Sequence, residues 1–288
     1  MKSKTLAVLA IGCFAILYLS CYKTGEVIYQ PECKPDSLSV NVPMYNFSYF
    51  TLQNTFVGSL TYDINRRLTG ATTYSGGARD RQYDFIYDGN NNLIRINGSV
   101  YSMYNPLTLI LYVTFSYPSG TAASISSTAQ VQLHLLDVNN LQWVTAPLRT
   151  YYFNTEYQLV LIVQDTRRVE QLTYDNGGNC LADSLYNTDS TVNRYFAYPA
   201  YDNKINPARS DRSLQLFFQM YNKNNPTISN EYSSNYAGTN GFVLSSSSSG
   251  SYTYNANGYP ITYAGNFFAD YNCIPPPNPV IAPGPGGN

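Results

Sequence analysis

Four segments of this chain repeat one short pattern. An apolar or aromatic run closes on Tyr-Asp or Tyr-Asn, a few polar residues follow, and an apolar run returns. The segments are 60–69, 85–94, 172–181 and 252–261, with Tyr62-Asp63, Tyr87-Asp88, Tyr174-Asp175 and Tyr254-Asn255 at the junctions. Asp, Asn and Gly tolerate positive φ, and Asx side chains close a turn on their own backbone, so each segment reads as strand, turn, strand. The tyrosine is expected to bury its ring and leave its hydroxyl in water. Because the intervals between segments are irregular, this is a family of hairpins rather than a solenoid.

The stretches between the hairpins alternate in the same way. From Leu107 to Tyr117, the set Leu107, Leu109, Leu111, Val113, Phe115 and Tyr117 falls on one strand face. In Gln130–Asp137, Val131, Leu133 and Leu135 alternate with Gln130, Gln132 and His134. Tyr157–Gln164 is apolar on both faces apart from its glutamines, which predicts a strand covered on both sides. The fold class that follows is all-β: a single large antiparallel meander, curled or barrel-like. One short helix is expected to pack on its inner face. In 213–222, Leu214, Phe217, Phe218 and Tyr221 make a helical stripe that Asp211 would cap; Leu214, Leu216, Phe218 and Met220 fit a strand equally well, and the helix is preferred. Ser245–Ser249 reads as a flexible loop.

Composition excludes other classes. Only 12% of the 288 residues are charged and 15% are aromatic, with 29 tyrosines, one tryptophan and one histidine. Disordered chains are charge-rich and aromatic-poor, and coiled coils need about half their residues from Ala, Glu, Lys, Leu and Arg. A net charge of −1 without charge blocks gives nucleic acid no electrostatic footprint.

The chain opens with Lys2 and Lys4, then an uncharged apolar run from Leu6 to Leu19, then Ser20-Cys21. The run has the length of a signal-peptide core and is short for a bilayer span. A small residue before cysteine resembles the bacterial lipoprotein cleavage site, in which Cys21 would become the lipid-modified N-terminus; Tyr18 and Leu19 depart from that site's usual pattern. The expected organisation is signal peptide 1–20, lipid-anchored tether 21–38, antiparallel β domain 39–273 and disordered Pro/Gly tail 274–288. Of the remaining cysteines, Cys180 and Cys273 are expected to form a disulfide, since both lie inside the β domain.

Reactive constellations are scarce. A single histidine, His134, removes two-histidine zinc motifs, and without a Gly-x-Ser-x-Gly elbow it makes a poor triad member. No dinucleotide or phosphate loop and no Cys-x-x-Cys is present, so neither nucleotide binding nor thioredoxin-like chemistry is expected. Asp88, Asn90 and Asn92 have calcium-loop spacing but lack the glycine and closing acid, which favours a turn. No cofactor and no metal is expected, and no catalytic residue is assigned. Tyrosines outside the hairpin junctions can stack on sugars or peptides: Tyr101, Tyr104, Tyr151, Tyr152, Tyr198 and Tyr201 are the main candidates, with Tyr45, Tyr49 and Tyr195 beside them. Arg66-Arg67 and Arg167-Arg168 read as solvated hairpin charges. Asp36-Ser37-Leu38, Asp183-Ser184-Leu185 and Asp189-Ser190-Thr191 resemble a short O-glycosylation signal of exported proteins.

The Tyr-Asp hairpins resemble the YD repeats of secreted bacterial wall and toxin-shell proteins. Together with the lipid cysteine, the stretch Tyr201 to Pro207, Lys223 to Pro226 and the hairpin Tyr254 to Pro260, they resemble a family of uncharacterised Gram-negative lipoproteins carrying a domain of unknown function. That resemblance implies a curled antiparallel sheet of porin-like appearance and brings no catalytic residues. The function expected is an exported, lipid-anchored envelope protein of the outer membrane, on its periplasmic face or the cell surface. It would act as a non-catalytic structural or ligand-binding module with a glycan or protein partner. The alternatives are an envelope polysaccharide hydrolase and an outer-membrane β-barrel.

Overall fold

The computed structural model describes residues 32–41, 55–101, 107–118, 128–137, 139–218, 220–234, 241–263 and 267–274. The expected signal peptide 1–20, Cys21, the Pro/Gly stretch beyond Ile274, Tyr45, Tyr49 and Tyr104 lie outside them. Within the compact unit Glu32–Ile274, the described residues form eighteen strands and one short helix. In chain order these are β1 (Glu32–Asn41), β2 (Thr55–Tyr62), β3 (Leu68–Ser75), β4 (Ala78–Tyr87), β5 (Leu93–Val100) and β6 (Thr108–Ser116). Next come β7 (Thr128–Asp137), β8 (Gln142–Thr145), β9 (Arg149–Phe153), β10 (Leu159–Gln164), β11 (Arg167–Tyr174), β12 (Cys180–Tyr186) and β13 (Val192–Ile205). A 3₁₀ turn (Pro207–Ser210) and the helix α1 (Arg212–Phe218) follow, then β14 (Asn224–Ser234), β15 (Phe242–Ser249), β16 (Tyr252–Tyr254), β17 (Pro260–Tyr263) and β18 (Phe267–Ile274).

All ladders are antiparallel. From β2 to β7 and from β9 to β14 every strand pairs with its neighbours in sequence, apart from a step at β7, which pairs with β8 through one half and with β9 through the other. One pairing is long-range: β1 lies between β2 and β18 and joins the two ends of the domain. Among the described residues no ladder joins β15 to β16, so the sheet curls without closing into a barrel.

Alternation decides the faces. Leu111, Val113 and Phe115 of β6 and Ala129, Val131 and Leu133 of β7 are buried on the concave side, as period-2 spacing requires. In β10, Leu159 and Ile162 are buried and Val160, Leu161 and Val163 half-buried; the strand begins at Leu159 because Tyr157 belongs to the turn.

The helix is the plug of this curl. Asp211 caps it, its carboxylate accepting from the Ser213 amide at 2.8 Å. Phe217 packs edge-on against Tyr83 and Phe85 of β4, at 5.0 and 5.2 Å. Asp211 pairs with Lys34 of β1 at 3.1 Å, and Arg212 lies over Phe153 of β9. One seven-residue helix reaches β1, β4 and β9 only because the sheet wraps round it. Leu214, Phe217, Phe218 and Tyr221 are buried as the helical stripe requires, but Gln215 and Leu216 are buried too, so this helix is covered on every side.

Three expectations need correction. The β domain begins at Glu32, so 32–38 is paired strand rather than tether. Ser245–Ser249 belongs to β15; serine hydroxyls ladder across it, Ser229 to Ser248 and Ser233 to Ser245, both at 2.7 Å. The disulfide joins Cys33 to Cys273, not Cys180 to Cys273. The β1–β18 register sets Cys33 opposite Cys273, whereas Cys180 is a buried free thiol that donates to the Ala182 carbonyl.

Candidate functional site

The hairpin turns share one geometry, and there are more of them than the Tyr-Asp pattern reveals. At Asp63, Asp88, Asp175 and Asn255, and also at Asn154 and Asn187, the Asx amide donates to the carbonyl four residues on. The amide three residues on returns to the Asx carbonyl. In each, that third residue has positive φ: Arg66, Asn91, Gly178, Gly258, Tyr157 and Ser190. Two of the turns follow Phe153 and Tyr186, outside the four segments read as hairpins from the sequence. Asp88 directs one carboxylate oxygen to the Asn90 and Asn92 amides and the other to the Asn92 side chain. Those bonds hold its pKa below the usual range. Among the described residues no group of three or more His, Cys, Asp and Glu side chains could hold a metal ion.

Five strand-end tyrosines, the junction residues Tyr87 and Tyr174 among them, do not leave their hydroxyls in water. Tyr87, Tyr117, Tyr174 and Tyr271 donate to the carbonyls of Leu68, Leu93, Leu159 and Pro260 at 2.6–2.9 Å, and Tyr201 donates to that of Cys180. Burial raises the pKa of all five hydroxyls.

The stacking candidates are not brought together. Tyr151 is core, 1% exposed, because it faces inward on β9. Tyr101 donates to Gln82 at 2.8 Å, Tyr201 is held as above, and Tyr198 lines an interior cavity; Tyr152 is exposed on the opposite face of β9. Tyr195 packs on Tyr232 on the outer side of β13. His134 stacks on Tyr112 with 4.2 Å between centroids and contacts Thr145; partial burial and then Arg95 lower its pKa.

Among the described residues, two polar places stand out. The first is a small interior cavity of about 30 Å³ lined by Glu170, Tyr174, Cys180, Asp183, Tyr198, Tyr221 and Asn222. Glu170 and Asp183 are diagonal neighbours on the inward face of β11 and β12. Burial, followed by the neighbouring Glu170, drives the Asp183 carboxyl well above its ordinary pKa, and the two acids are hydrogen-bonded. Burial likewise raises the Cys180 thiol. The space suits about one water molecule and no sugar ring.

The second is an open cleft of about 380 Å³ lined by Glu156, Tyr157, Arg209, Arg212 and Gln215. Its wall is the turn between β9 and β10. Asn154 fixes that turn by accepting from the Glu156 and Gln158 amides at 3.0 and 2.9 Å. The buried Gln158 side chain ties it to the Gly178 and Tyr221 carbonyls at 2.7 and 2.8 Å. Opposite stand the 3₁₀ turn and the start of α1. Arg209 pairs with Glu156 at 3.3 Å, and Gln215 donates to the Arg209 carbonyl at 3.2 Å. The Arg212 guanidinium lies 5.0–5.8 Å from the ring centroids of Phe153, Tyr157 and Tyr117, a cation–π cage. Tyr157 occupies the left-handed position (φ +62°) that Gly178 and Gly258 fill in sister turns. A bulky side chain there costs about 1 kcal/mol relative to glycine. Sequence reasoning missed this site because its residues come from a turn, a 3₁₀ segment and a helix that only tertiary folding brings together. The one local signal was Tyr157, an aromatic ring in a left-handed position that Arg66, Asn91, Gly178, Ser190 and Gly258 fill in the sister turns.

No family model and no curated protein matches the chain. Among solved structures, it is similar to a porin-like protein from Bacteroides uniformis, at 13% identity over 82% of this chain and 93% of that one, with a TM-score of 0.38. It is also similar to a DUF3836 family protein from Parabacteroides distasonis, at 13% identity over 32% of this chain and 89% of that one (TM-score 0.24). A protein of unknown function from Bacteroides fragilis aligns at 11% identity over 59% and 91% (TM-score 0.27).

Proposed function

We propose that this chain is an exported, lipid-anchored envelope protein whose β domain binds a glycan or protein partner without transforming it. The binding site is the cleft between the Asn154–Gln158 turn and α1. The observation that carries this reading is Tyr157, a half-exposed ring held in a strained backbone slot where glycine would be more stable. Local instability of this kind marks positions kept for contact rather than for folding. The buried Glu170–Asp183 pair supports a non-catalytic role, since two carboxylates that hydrolyse a glycoside must flank a bond in an accessible cleft.

The test has two parts. Fractionation of cells carrying wild type and Cys21→Ser reads the anchor: wild type is expected with the membrane and the variant released. Glycan arrays and envelope pull-downs with the mature chain read the binding. Tyr157→Gly is expected to keep or raise the melting temperature and to lose the ligand; a variant that binds as wild type removes the cleft from the reading.

A further inference from the structure

The Glu156–Arg209 ion pair is displayed rather than buried. Its side chains are 53% and 30% exposed, and both line the open cleft. The pair is made through one atom of each, with Nη2 of Arg209 donating to Oε2 of Glu156. Gly178, in the turn between β11 and β12, lies against it: a Cβ there would come within 3.0 Å of Glu156 Oε2 and 3.8 Å of Arg209 Nη1. An ion pair this open contributes at most about 1 kcal/mol to the fold, so stability does not account for its placement. Arg212 has another task. Its Nε and Nη2 atoms are buried and its guanidinium lies 5.2 Å from the centroid of the Tyr157 ring, so it props that ring and does not itself meet a ligand. Tyr157 remains 36% exposed.

The cleft thus offers a ligand part of an aromatic ring, a carboxylate that accepts and a guanidinium that donates. The two charges of the pair cancel. A carboxylate or phosphate would be repelled by Glu156, and an ammonium group by Arg209. A neutral ligand with two adjacent hydroxyl groups suits both, because a hydroxyl is donor and acceptor at once: one donates to Glu156 while its neighbour accepts from Arg209. Hydrogen bonds to ionised groups are the stronger kind. A pyranose carries such neighbouring hydroxyls on a ring whose C–H face packs on an aromatic side chain. The volume of about 380 Å³ is at the small end of ligand sites and takes one such residue. A peptide would seek a strand edge, whereas the lining residues stand on a turn, a 3₁₀ segment and a helix. We infer that the cleft binds a neutral hexopyranose residue, with adjacent hydroxyl groups bridging Glu156 and Arg209 and the ring against Tyr157. This rests on the reading of the cleft as the binding site and adds the class of the ligand.

The experiment is an NMR titration of the mature chain that follows the Tyr157 ring signals, assigned by their absence from Tyr157→Gly. The probes are the methyl glycosides of D-glucose, D-galactose and D-mannose, the fully O-methylated form of the tightest of them, D-galacturonate and N-acetyltriserine amide. At least one glycoside is expected to move the Tyr157 signals saturably. Its O-methylated form keeps the ring and its oxygens but has no hydroxyl donor, and is expected to bind at least about tenfold more weakly, the factor that about 1.4 kcal/mol represents. Glu156→Gln and Arg209→Gln are each expected to weaken the glycoside by a similar factor. Both should keep the wild-type melting temperature, because an exposed pair contributes little to the fold, so loss of binding there is not loss of fold. The inference is overturned if no glycoside moves the signals, if the O-methylated form binds as well, or if either glutamine variant binds the glycoside undiminished. It is overturned equally if D-galacturonate or N-acetyltriserine amide binds more tightly than the glycosides. A glycan or protein ligand that Tyr157→Gly abolishes while the glycosides do nothing would leave the cleft as the site and remove only the neutral sugar.

Discussion

The hydroxyl of Tyr87 donates to the carbonyl of Leu68 at 2.7 Å, and Leu68 lies two residues beyond Gly70, the last β3 residue that ladders with β4. The same offset recurs. Leu93 lies two residues past the last β5–β6 pair, Leu159 past the last β10–β11 pair, Cys180 past the last β12–β13 pair and Pro260 past the last β17–β18 pair. In each case a tyrosine on the neighbouring strand, or directly after it for Tyr117, reaches the carbonyl that the ladder has left. A backbone acceptor beside the core requires a donor. The tyrosine supplies it while its ring covers the strand end, so it works as a side-chain extension of the sheet.

Tyr87→Phe therefore strips the donor from the Leu68 carbonyl and the acceptor from the Ser213 hydroxyl, whose Oγ lies at 2.8 Å. The expected loss is about 1–2 kcal/mol of stability, read by urea unfolding. Ser213→Ala, which removes only the second contact, should lose less. Equal losses from the two variants would mean that the bond to Leu68 contributes nothing.

Alkaline titration tests the whole set. The pKa values of Tyr87, Tyr117, Tyr174, Tyr201 and Tyr271 are all raised by burial above the ordinary 10.0. Protons are then held more tightly in the folded chain than in the unfolded one. Their contribution is complete below pH 10 and is lost progressively as the pH rises from there through the raised folded values. Above about pH 10 the melting temperature should fall steeply with pH, with a shallower fall in Tyr87→Phe.

What could be read from the sequence was what is local. Four hairpin turns, the inward face of β6 and the Asp211-capped helix follow from Asx chemistry and periodicity. What escaped depends on the topology. Cys33 meets Cys273 only because β1 lies between β2 and β18, and no spacing announces that. The tyrosine hydroxyls find carbonyls on a neighbouring strand that pattern alone leaves unplaced. Ser245–Ser249 forms a strand because β14 supplies hydroxyl partners, which outweigh the weak strand preference of serine. The cleft escaped because Glu156 and Tyr157 are distant in sequence from Arg209 and Arg212, which only the folded chain brings to them.

The acid pair predicts a pH dependence of its own. With the Asp183 pKa raised well above 3.8 by burial and by Glu170, the folded chain retains a proton that the unfolded chain releases. Stability from this site is complete below pH 3.8 and declines as the pH rises through the folded value, by about 1.4 kcal/mol per pH unit within that window. Asp183→Asn keeps the hydrogen-bonding shape without the titration. It is expected to melt higher than wild type at about pH 7 and to show a flatter profile above about pH 4; a lower melting temperature at neutral pH would show that the ionised pair is stabilising.

Cys33–Cys273 closes a loop with a sequence separation of 240 residues and clamps β1 to β18, the pairing that joins the two ends of the domain. Loop-closure entropy puts its contribution at about 5 kcal/mol. Cys33→Ser, or reduction of wild type, should lower the melting temperature sharply and expose the amides of β1 and β18 to hydrogen exchange before those of β4 and β5. Uniform loss of protection would show that the clamp acts on the whole sheet rather than on this seam.

Gly98 is a glycine for reasons of space. It sits between Tyr83 on β4 and Leu111 on β6, and a Cβ there would come within 2.7 Å of Leu111 Cδ1 and 3.2 Å of Tyr83 Cε1. Both neighbours are fully buried, so neither side chain can swing into solvent, and Gly98→Ala is expected to cost about 1–3 kcal/mol through overpacking. The strain lies against Cγ as well as Cδ1 of Leu111, at 2.8 and 2.7 Å, so truncation of that side chain to Cβ would relieve it. Leu111→Ala alone should also destabilise, through lost burial. In the double variant the two changes should offset one another, giving a loss smaller than the sum of the single losses. Additive losses in a thermodynamic cycle would place the cost in the backbone of β5 rather than in the contact with Leu111.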